Sequence, residues 1–511
     1  MLAKISSLGI RGIDGFPVSV EVDVANGLPT FAIVGLADTE VKESKERVVS
    51  AIRNSGFDFP PKRITVNLSP AELKKSGTHF DLPIALGILA ACGKLKKAGR
   101  RLENTVFVGE LALDGEIRPV TGLLPMMLAL SETKTVEAIV PAANSVEAAV
   151  SGVPAFNAAS LKTLVSALTA RTELDRCVNT AACPGEEPSF AGGDFSEVKG
   201  QAFAKRALEI AAAGGHNILM IGPPGSGKSM LAKRFAGIMP PITNEEALEV
   251  TKIYSVCGLT RGGKLIRYRP FRDPHHTISD IALVGGGTRP RPGEVSMAHN
   301  GVLFLDELAE FSRSSLEVLR EPLEAFQVTV SRAKESACYP ARFTLIAASN
   351  PCPCGFLGHS EKQCSCSPIQ VQRYRNKISG PLLDRIDLNI QLSPVRYAHW
   401  AQTSEGETSS VIRKRVMSAR KLQAERFTGT KTTANAFMTV SQIKKFCAIP
   451  SEGGSILEAA MNKLGLSARS LDKILKVSRT IADLEGSPVI KKEYLMEAIQ
   501  YRSFDRSVLP V

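Results

Sequence analysis

The chain has 511 residues, 44% of them hydrophobic, and a net charge of +12, which is too long for one ordinary core and predicts two or three domains. Its longest apolar stretch, Leu82 to Cys92, falls well short of the roughly 20 residues that cross a bilayer, and Met1 to Arg11 lacks the pattern of a secretory signal, so a membrane span is excluded and a cytoplasmic protein is expected. Residues 1–190 carry 20 Lys and Arg against 21 Asp and Glu, and the remainder 43 against 30; the positive charge of the second part reads either as polyanion binding, most economically nucleic acid, or as a solvated basic face.

Residues 1–171 read as a first α/β domain. Val18 to Val24 and Ile64 to Leu68 alternate as strands do, and Val41 to Asn54 and Leu82 to Leu95 have helical spacing. A hairpin is predicted over Phe107 to Val120, turning at Asp114-Gly115. Residues 172–193 lose periodicity and collect Pro, Gly and Glu, marking a linker. A P-loop α/β domain is predicted over 194–394, and helices at Ile412 to Arg426, Ile456 to Leu464, Ala468 to Leu484 and Lys491 to Arg502 predict a small helical domain over 395–511.

The chemistry concentrates in the middle. Gly222-Pro223-Pro224-Gly225-Ser226-Gly227-Lys228-Ser229 is a complete phosphate-binding loop, placed between the apolar run Asn217 to Ile221 and a helical stretch from Ser229 to Ala236. Its backbone N–H groups can wrap the phosphates of ATP, Lys228 can reach the β and γ oxygens, and Ser229 offers a hydroxyl to Mg²⁺. Some eighty residues on, the apolar run Val302 to Leu305 ends in Asp306-Glu307. Asp306 is read as holding the metal and Glu307 as polarising the attacking water; the bland alternative is a helix N-cap.

Basic residues cluster at Arg261, Lys264, Arg267, Arg269, Arg272, Arg289 and Arg291, and again from Arg413 to Lys445. His275 and His276 lack obvious companion ligands and are assigned structural or substrate-loop duty. Four cysteines fall within 351–367, as Cys352-Pro-Cys354 and Cys364-Ser-Cys366. Thiolates in this number can close a tetrahedral Zn²⁺ site, with His359 as a substitute for one sulfur; unligated thiols or a redox pair are the alternatives.

A third strand, Arg342 to Asn350, and the segments around it resemble the AAA+ superfamily. The resemblance implies that Asn350 (sensor 1) positions the attacking water, with a turn residue as the bland reading. Gly380-Pro-Leu-Leu-Asp384-Arg385-Ile-Asp387 resembles the arginine-finger segment of the magnesium-chelatase and replicative-helicase branch, implying that Arg385 acts in trans; its alternative is a salt bridge to Asp384 or Asp387. Leu466-Ser-Ala-Arg469 resembles sensor 2, implying that Arg469 reaches the γ-phosphate from the helical lid; a purely structural role at a helix start is its alternative. Arg269 to Asp280, with Gly285 to Glu294 behind it, is similar to the helix-2 insertion of this branch, and Phe326 to Lys334 to its hairpin before sensor 1, which makes Arg332 and Lys334 candidate DNA contacts.

Gly109 to Pro125 and Lys74 to Leu82 resemble Lon-type protease segments, implying a Lon-protease-like (ribosomal S5 domain 2-like) α+β fold. Leu124 stands where the catalytic lysine would be and His79 where the serine would be, so the dyad is missing and proteolysis is not expected. From near residue 1 to about residue 505 the chain resembles the ComM/YifB family of magnesium-chelatase-like AAA+ proteins, most specifically through Asn350 to Gly355 and Lys377 to Arg385. The resemblance implies a homo-hexameric, ATP-driven helicase that moves single-stranded and branched DNA during integration of transforming strands, with a recombinase or other recombination protein as partner. The alternatives are the ATPase subunit of a magnesium-chelatase-type metal insertion complex and a scaffold that uses ATP only to assemble.

Overall fold

In Val18 to Val24 the alternation puts four valines on one face, and all four are buried. They belong to a seven-stranded mixed sheet built from β1 (Leu2–Arg11), β2 (Asp14–Ala25), β3 (Thr30–Val34), β4 (Arg63–Ser69), β5 (Thr105–Phe107), β6 (Glu137–Pro141) and β7 (Ala155–Ala158), in the order β3-β4-β2-β1-β5-β6-β7. Pairs β1–β2 and β2–β4 are antiparallel and the rest parallel. Helix α1 (Thr39–Asn54) buries Val41, Val48 and Ile52, whereas α2 (Asp81–Ala91) is apolar on every side and buried along almost its whole length. Gly87 lets α2 approach the sheet closely: a Cβ there would lie 2.5 Å from Cγ2 of Val22. The predicted hairpin forms from Glu110–Leu111 and Ile117–Arg118.

This computed structural model describes residues 1–131, 137–170, 173–178, 192–287, 290–332, 335–359, 361–393, 406–464 and 467–502. Two compact units are present, Met1–Glu186 with Asn244–Arg267, and Glu187–Thr243 with Tyr268–Val511. Most of the predicted linker lies outside the described residues. The helix Asn244–Val256 lies in sequence within the predicted P-loop block and packs in the first unit. There Gly122 donates its N–H to the Ser255 carbonyl at 3.0 Å and Lys252 meets Asp14 at 3.0 Å. Helical spacing identifies an apolar face but not the core that covers it.

The second unit is built on a parallel five-stranded sheet: β8 (Ile218–Ile221), β9 (Phe271–Arg272), β10 (Val302–Leu305), β11 (Thr344–Ser349) and β12 (Leu388–Gln391), in the order β9-β10-β11-β8-β12. Strands β8, β10 and β11 are almost entirely buried, consistent with their continuous apolar runs. Helices α3 (Ala202–Gly214) and α4 (Lys228–Phe235) precede and follow the P-loop. The C-terminal helices α5 (Ser409–Arg426), α6 (Ala468–Leu484) and α7 (Lys492–Gln500) share one core with that sheet, in which Ile218, Val302, Val416, Ile474 and Leu495 all take part. Among the described residues no helix is long and apolar enough to cross a membrane.

Candidate ATP site and cysteine cluster

Strand β8 runs between β11 and β12, and the loop that leaves its end turns into α4 at Lys228. Gly225 and Gly227 have φ of +77° and +91°, a region that disfavours side chains, and the space where a Cβ would sit is open at both. The Lys228 ammonium is nearly buried and donates to the carbonyls of Gly222 at 2.7 Å and Pro223 at 3.0 Å and to Oδ1 of Asn350 at 3.3 Å. Burial pushes its pKa down, against the pull of Asp306 and Glu307. The buried Ser226 hydroxyl has no hydrogen-bond partner among the described residues. A buried cation bonded only to neutral oxygens, beside an unsatisfied hydroxyl and an open glycine loop, fits a phosphate group.

Because β11 ends level with β8 and the two residues that follow β10, Asp306 and Glu307, continue to that level, Asp306, Glu307 and Asn350 come to the same edge as the P-loop, the carboxyl ends of parallel strands where α/β ligands bind. The Ser229 hydroxyl donates to Oδ2 of Asp306 at 2.6 Å. A hydroxyl and a carboxylate in this relation are the oxygen donors that Mg²⁺ prefers. Glu307 sits in the left-handed region at φ 51°, a conformation that costs a non-glycine residue about 1 kcal/mol. Its carboxylate is half exposed and lies 3.6 Å from Nδ1 of His276.

Arg385 and Arg469 are placed elsewhere in this unit. Both line a cavity of about 330 Å³ together with Glu324, Phe326, Lys473 and Lys476, and no P-loop residue contributes to its wall. Arg385 pairs with Glu324 at 2.6 Å rather than with Asp384 or Asp387. Asn217, at the root of β8, donates to the Arg385 carbonyl at 3.1 Å, and its own N–H donates to Asp387 at 3.0 Å. Burial opposes ionisation of Asp387, but Lys473, His216 and that N–H outweigh it and hold the carboxyl well below its ordinary range.

The four predicted cysteines converge. Sulfurs of Cys352, Cys354 and Cys364 are 3.4, 3.7 and 3.5 Å apart, and the ligand atoms of all four cysteines lie within 4.8 Å of one another. Four thiolates around a Zn²⁺ at about 2.3 Å would have their sulfurs separated by about 3.8 Å, so the set fits that ion. The N–H of Phe356 donates to Cys354 and brings its thiol down to about 5. His359 is not a member: its Nδ1 accepts from the N–H groups of Glu361 and Lys362 at 3.0 and 3.1 Å. The knuckle abuts the P-loop, since a Cβ on Gly355 would lie 2.6 Å from Cδ of Pro224.

Several arginines of the basic concentrations are engaged within the fold, while Lys264, Arg291, Lys414, Lys421, Lys431, Lys444 and Lys445 are exposed. Arg272 forms a forked pair with Glu294 at 2.6 and 2.8 Å, and Arg269 donates to the carbonyls of Pro240 and Asn300. Arg413 caps the Gly237 carbonyl, Arg415 binds Glu209 and Glu407, and Arg426 binds Asp483. For these residues the polyanion reading gives way to a structural one. The predicted hairpin is present as Gln327–Arg332 paired with Glu335–Pro340. Arg332 ends its first strand, and Lys334 lies outside the described residues. In the first unit His79 and Leu124 are both buried, and the Leu124 N–H donates to Glu147 at 3.1 Å.

Sequence reasoning missed the contacts that His276 and Asn217 make. They depend on strand pairing and on a loop that returns beneath β8, which no local spacing announces.

Family models match three stretches: magnesium chelatase, subunit ChlI, over residues 194–400; subunit ChlI of Mg-chelatase over 20–144; and the ChlI C-terminal region over 406–502. Competence protein ComM of Haemophilus influenzae is 44% identical over 510 residues, covering 99% of this chain and 98% of that protein. The uncharacterized protein YifB of Escherichia coli is 43% identical over 511 residues, with the same coverage. The magnesium-chelatase 67 kDa subunit of Chlorobaculum tepidum matches at 29% over 163 residues, 31% of this chain and 23% of that one.

Proposed function

Because the chain belongs to the ComM/YifB family of magnesium-chelatase-like proteins, we propose that it is a ring-forming, ATP-hydrolysing motor that drives branch migration of DNA recombination intermediates as transforming strands are integrated. The observation that carries this reading is a separation. Lys228, Ser229, Asp306, Glu307 and Asn350 share one sheet edge, whereas Arg385 and Arg469 line a cavity to which the P-loop contributes nothing. Arginines that stabilise γ-phosphoryl charge from outside their own chain's site must serve a neighbour's. A head-to-tail interface of that kind closes into a ring by rotation; six subunits is the number the family resemblance implies.

In the working site Lys228 and the loop N–H groups bind the phosphates, and Asn350 and Glu307 orient and polarise water. Ser229 and Asp306 would hold Mg²⁺, which neutralises charge on the β and γ oxygens. Cys352, Cys354, Cys364 and Cys366 would hold Zn²⁺, stiffening the segment between Asn350 and the finger. With most arginines of the basic clusters engaged internally, the hairpin carrying Arg332 and Lys334 is the favoured DNA contact. A recombinase or related protein is its expected partner, and the cytoplasm its expected location. The first unit is a non-proteolytic Lon-like domain in this reading. The ChlI family models cover most of the chain and are compatible with a metal-insertion motor too; that reading is placed second because the magnesium-chelatase subunit of Chlorobaculum tepidum aligns over under a third of the chain, while ComM aligns over nearly all of it.

With Mg²⁺ and ATP the purified protein should move a labelled three- or four-strand junction, and Lys228→Ala should not. Equal inactivity of both, with ATPase indifferent to DNA, would contradict the DNA-motor reading.

A further inference from the structure

Asn217 immediately precedes β8, whose other end opens the P-loop. Both polar atoms of its side chain are used, and they reach the two strands that flank β8. Oδ1 accepts from the N–H of Leu345 in β11 at 2.8 Å, and Nδ2 donates to the carbonyl of Arg385, just before β12, at 3.1 Å. The backbone of Asn217 joins the same turn. Its carbonyl accepts from the N–H groups of Asp387 and Leu388, each at 3.0 Å, and its N–H donates to the Asp387 carboxylate at 3.0 Å. An amide suits this place because it carries an acceptor and a donor side by side. One side chain thereby ties the strand that leads to Asn350 to the turn that carries Arg385.

The next carbonyl along is held from the side of helix α6. Ile386 accepts from Nζ of Lys473 at 3.0 Å and from the Arg502 guanidinium, and Lys473 also pairs with Asp387 at 3.3 Å. The guanidinium of Arg385 is less fully engaged than this backbone. It pairs with Glu324 and donates to the Pro381 carbonyl, while its buried Nε has no hydrogen-bond partner among the described residues. A group that must meet a transferring phosphoryl has to be held to within about 0.5 Å by neighbours that are themselves fixed. An anchored backbone below a tip with a donor to spare is that arrangement. The partners of Asn217 lie at the amino end of β11 and ahead of β12, away from the carboxyl edge that holds Lys228 and Asn350. We propose that Asn217 is a positioning residue for Arg385, so that its bonds serve hydrolysis at the neighbouring subunit's ATP site rather than at its own. This rests on the reading of Arg385 as a residue that acts in trans.

The test mixes full-length variants so that one chain supplies an intact ATP site and the other an intact Arg385. Arg385→Ala is the host, Lys228→Ala the donor, and the ATPase gained on mixing them is the reference. Asn217→Leu is similar in size and removes both side-chain bonds. Added to the donor, it should cut the gain on mixing by about 10-fold or more, as a misplacement of about 1 Å can, with KM for ATP little changed. Added to the host, it should leave the gain close to the reference. A merely structural role at the root of β8 would lower both mixtures alike. Equal loss in host and donor, or no loss in the donor, therefore overturns the proposal. If Asn217→Leu chains do not fold or co-assemble, Asn217→Ser decides by the same asymmetry. A reference pair that co-assembles without any gain removes the shared-site reading and the proposal together. A reference gain that survives Asn217→Leu in the donor removes the proposal alone.

Discussion

Each unit buries a lysine, and the two lysines differ in what surrounds them. Lys75, in the first unit, is fully buried; its backbone exchanges bonds with Leu36 and Asp38, and its ammonium donates to the Pro70 carbonyl. Other polar groups of the first unit are similarly occupied: Arg47 forks onto Asp81 at 2.7 and 3.1 Å, and Asn144 joins Val120 to Glu147. Lys228 also donates to carbonyls, but those belong to a glycine-rich loop open on its outer side, and the carboxylates of Asp306 and Glu307 stand at the same edge. A buried cation is a structural fixture where the surrounding backbone is already paired, and a receptor where the surrounding N–H groups face open space.

The contrast is most easily broken at the lysines themselves. Lys228→Ala should lower ATPase by at least about 10²-fold, the scale of losing one preorganised charge contact to a transferring group, while Lys75→Met should leave ATP turnover per folded molecule near wild type. A large turnover defect in Lys75→Met would mean that the first unit is not catalytically silent. The cysteine knuckle sharpens the comparison next, because Gly355 rests on Pro224 of the open loop. Metal analysis should find about one zinc per chain, the stoichiometry of a four-thiolate site; Cys352→Ser with Cys354→Ser should lose it, lower the melting temperature and weaken binding of a fluorescent ATP analogue.

The smallest effect concerns pH and belongs to the occupied region. Burial brings His79 down from 6.5 to about 4, with the Leu8 carbonyl only partly offsetting it. Between those values the unfolded chain binds the proton and the folded chain does not, so the stability His79 confers falls as pH drops below about 6.5 and is fully lost near 4. Relative to His79→Gln, wild type should lose about 2 kcal/mol between pH 6.5 and 5, at 1.36 kcal/mol per pKa unit. Denaturant titrations that give the same difference at both pH values would show that the imidazole is not held neutral.

Much of this was legible in sequence where information is local. The P-loop, Asp306-Glu307 and the two C-x-C pairs each announce themselves within a few residues, and α6 begins and ends where its periodicity does. What escaped was long-range. The packing of Asn244–Val256 in the first unit, the pairing of Arg385 with Glu324 and the approach of His276 to Glu307 all join residues whose separation carries no pattern. Charge counts do not say which charges are available: Arg269, Arg272, Arg413 and Arg415 add to the positive total, yet each satisfies a carbonyl or carboxylate set by tertiary packing.

An ATP site completed by a second copy of the chain is tested directly by mixing two inactive variants. Lys228→Ala lacks its own phosphate contact but presents Arg385; Arg385→Ala has the reverse defect. Each alone should hydrolyse ATP poorly, and their mixture should recover part of the wild-type ATPase, because some interfaces then join an intact Lys228 to an intact Arg385. No recovery at any mixing ratio, with co-assembly of the two variants demonstrated, would contradict the shared site.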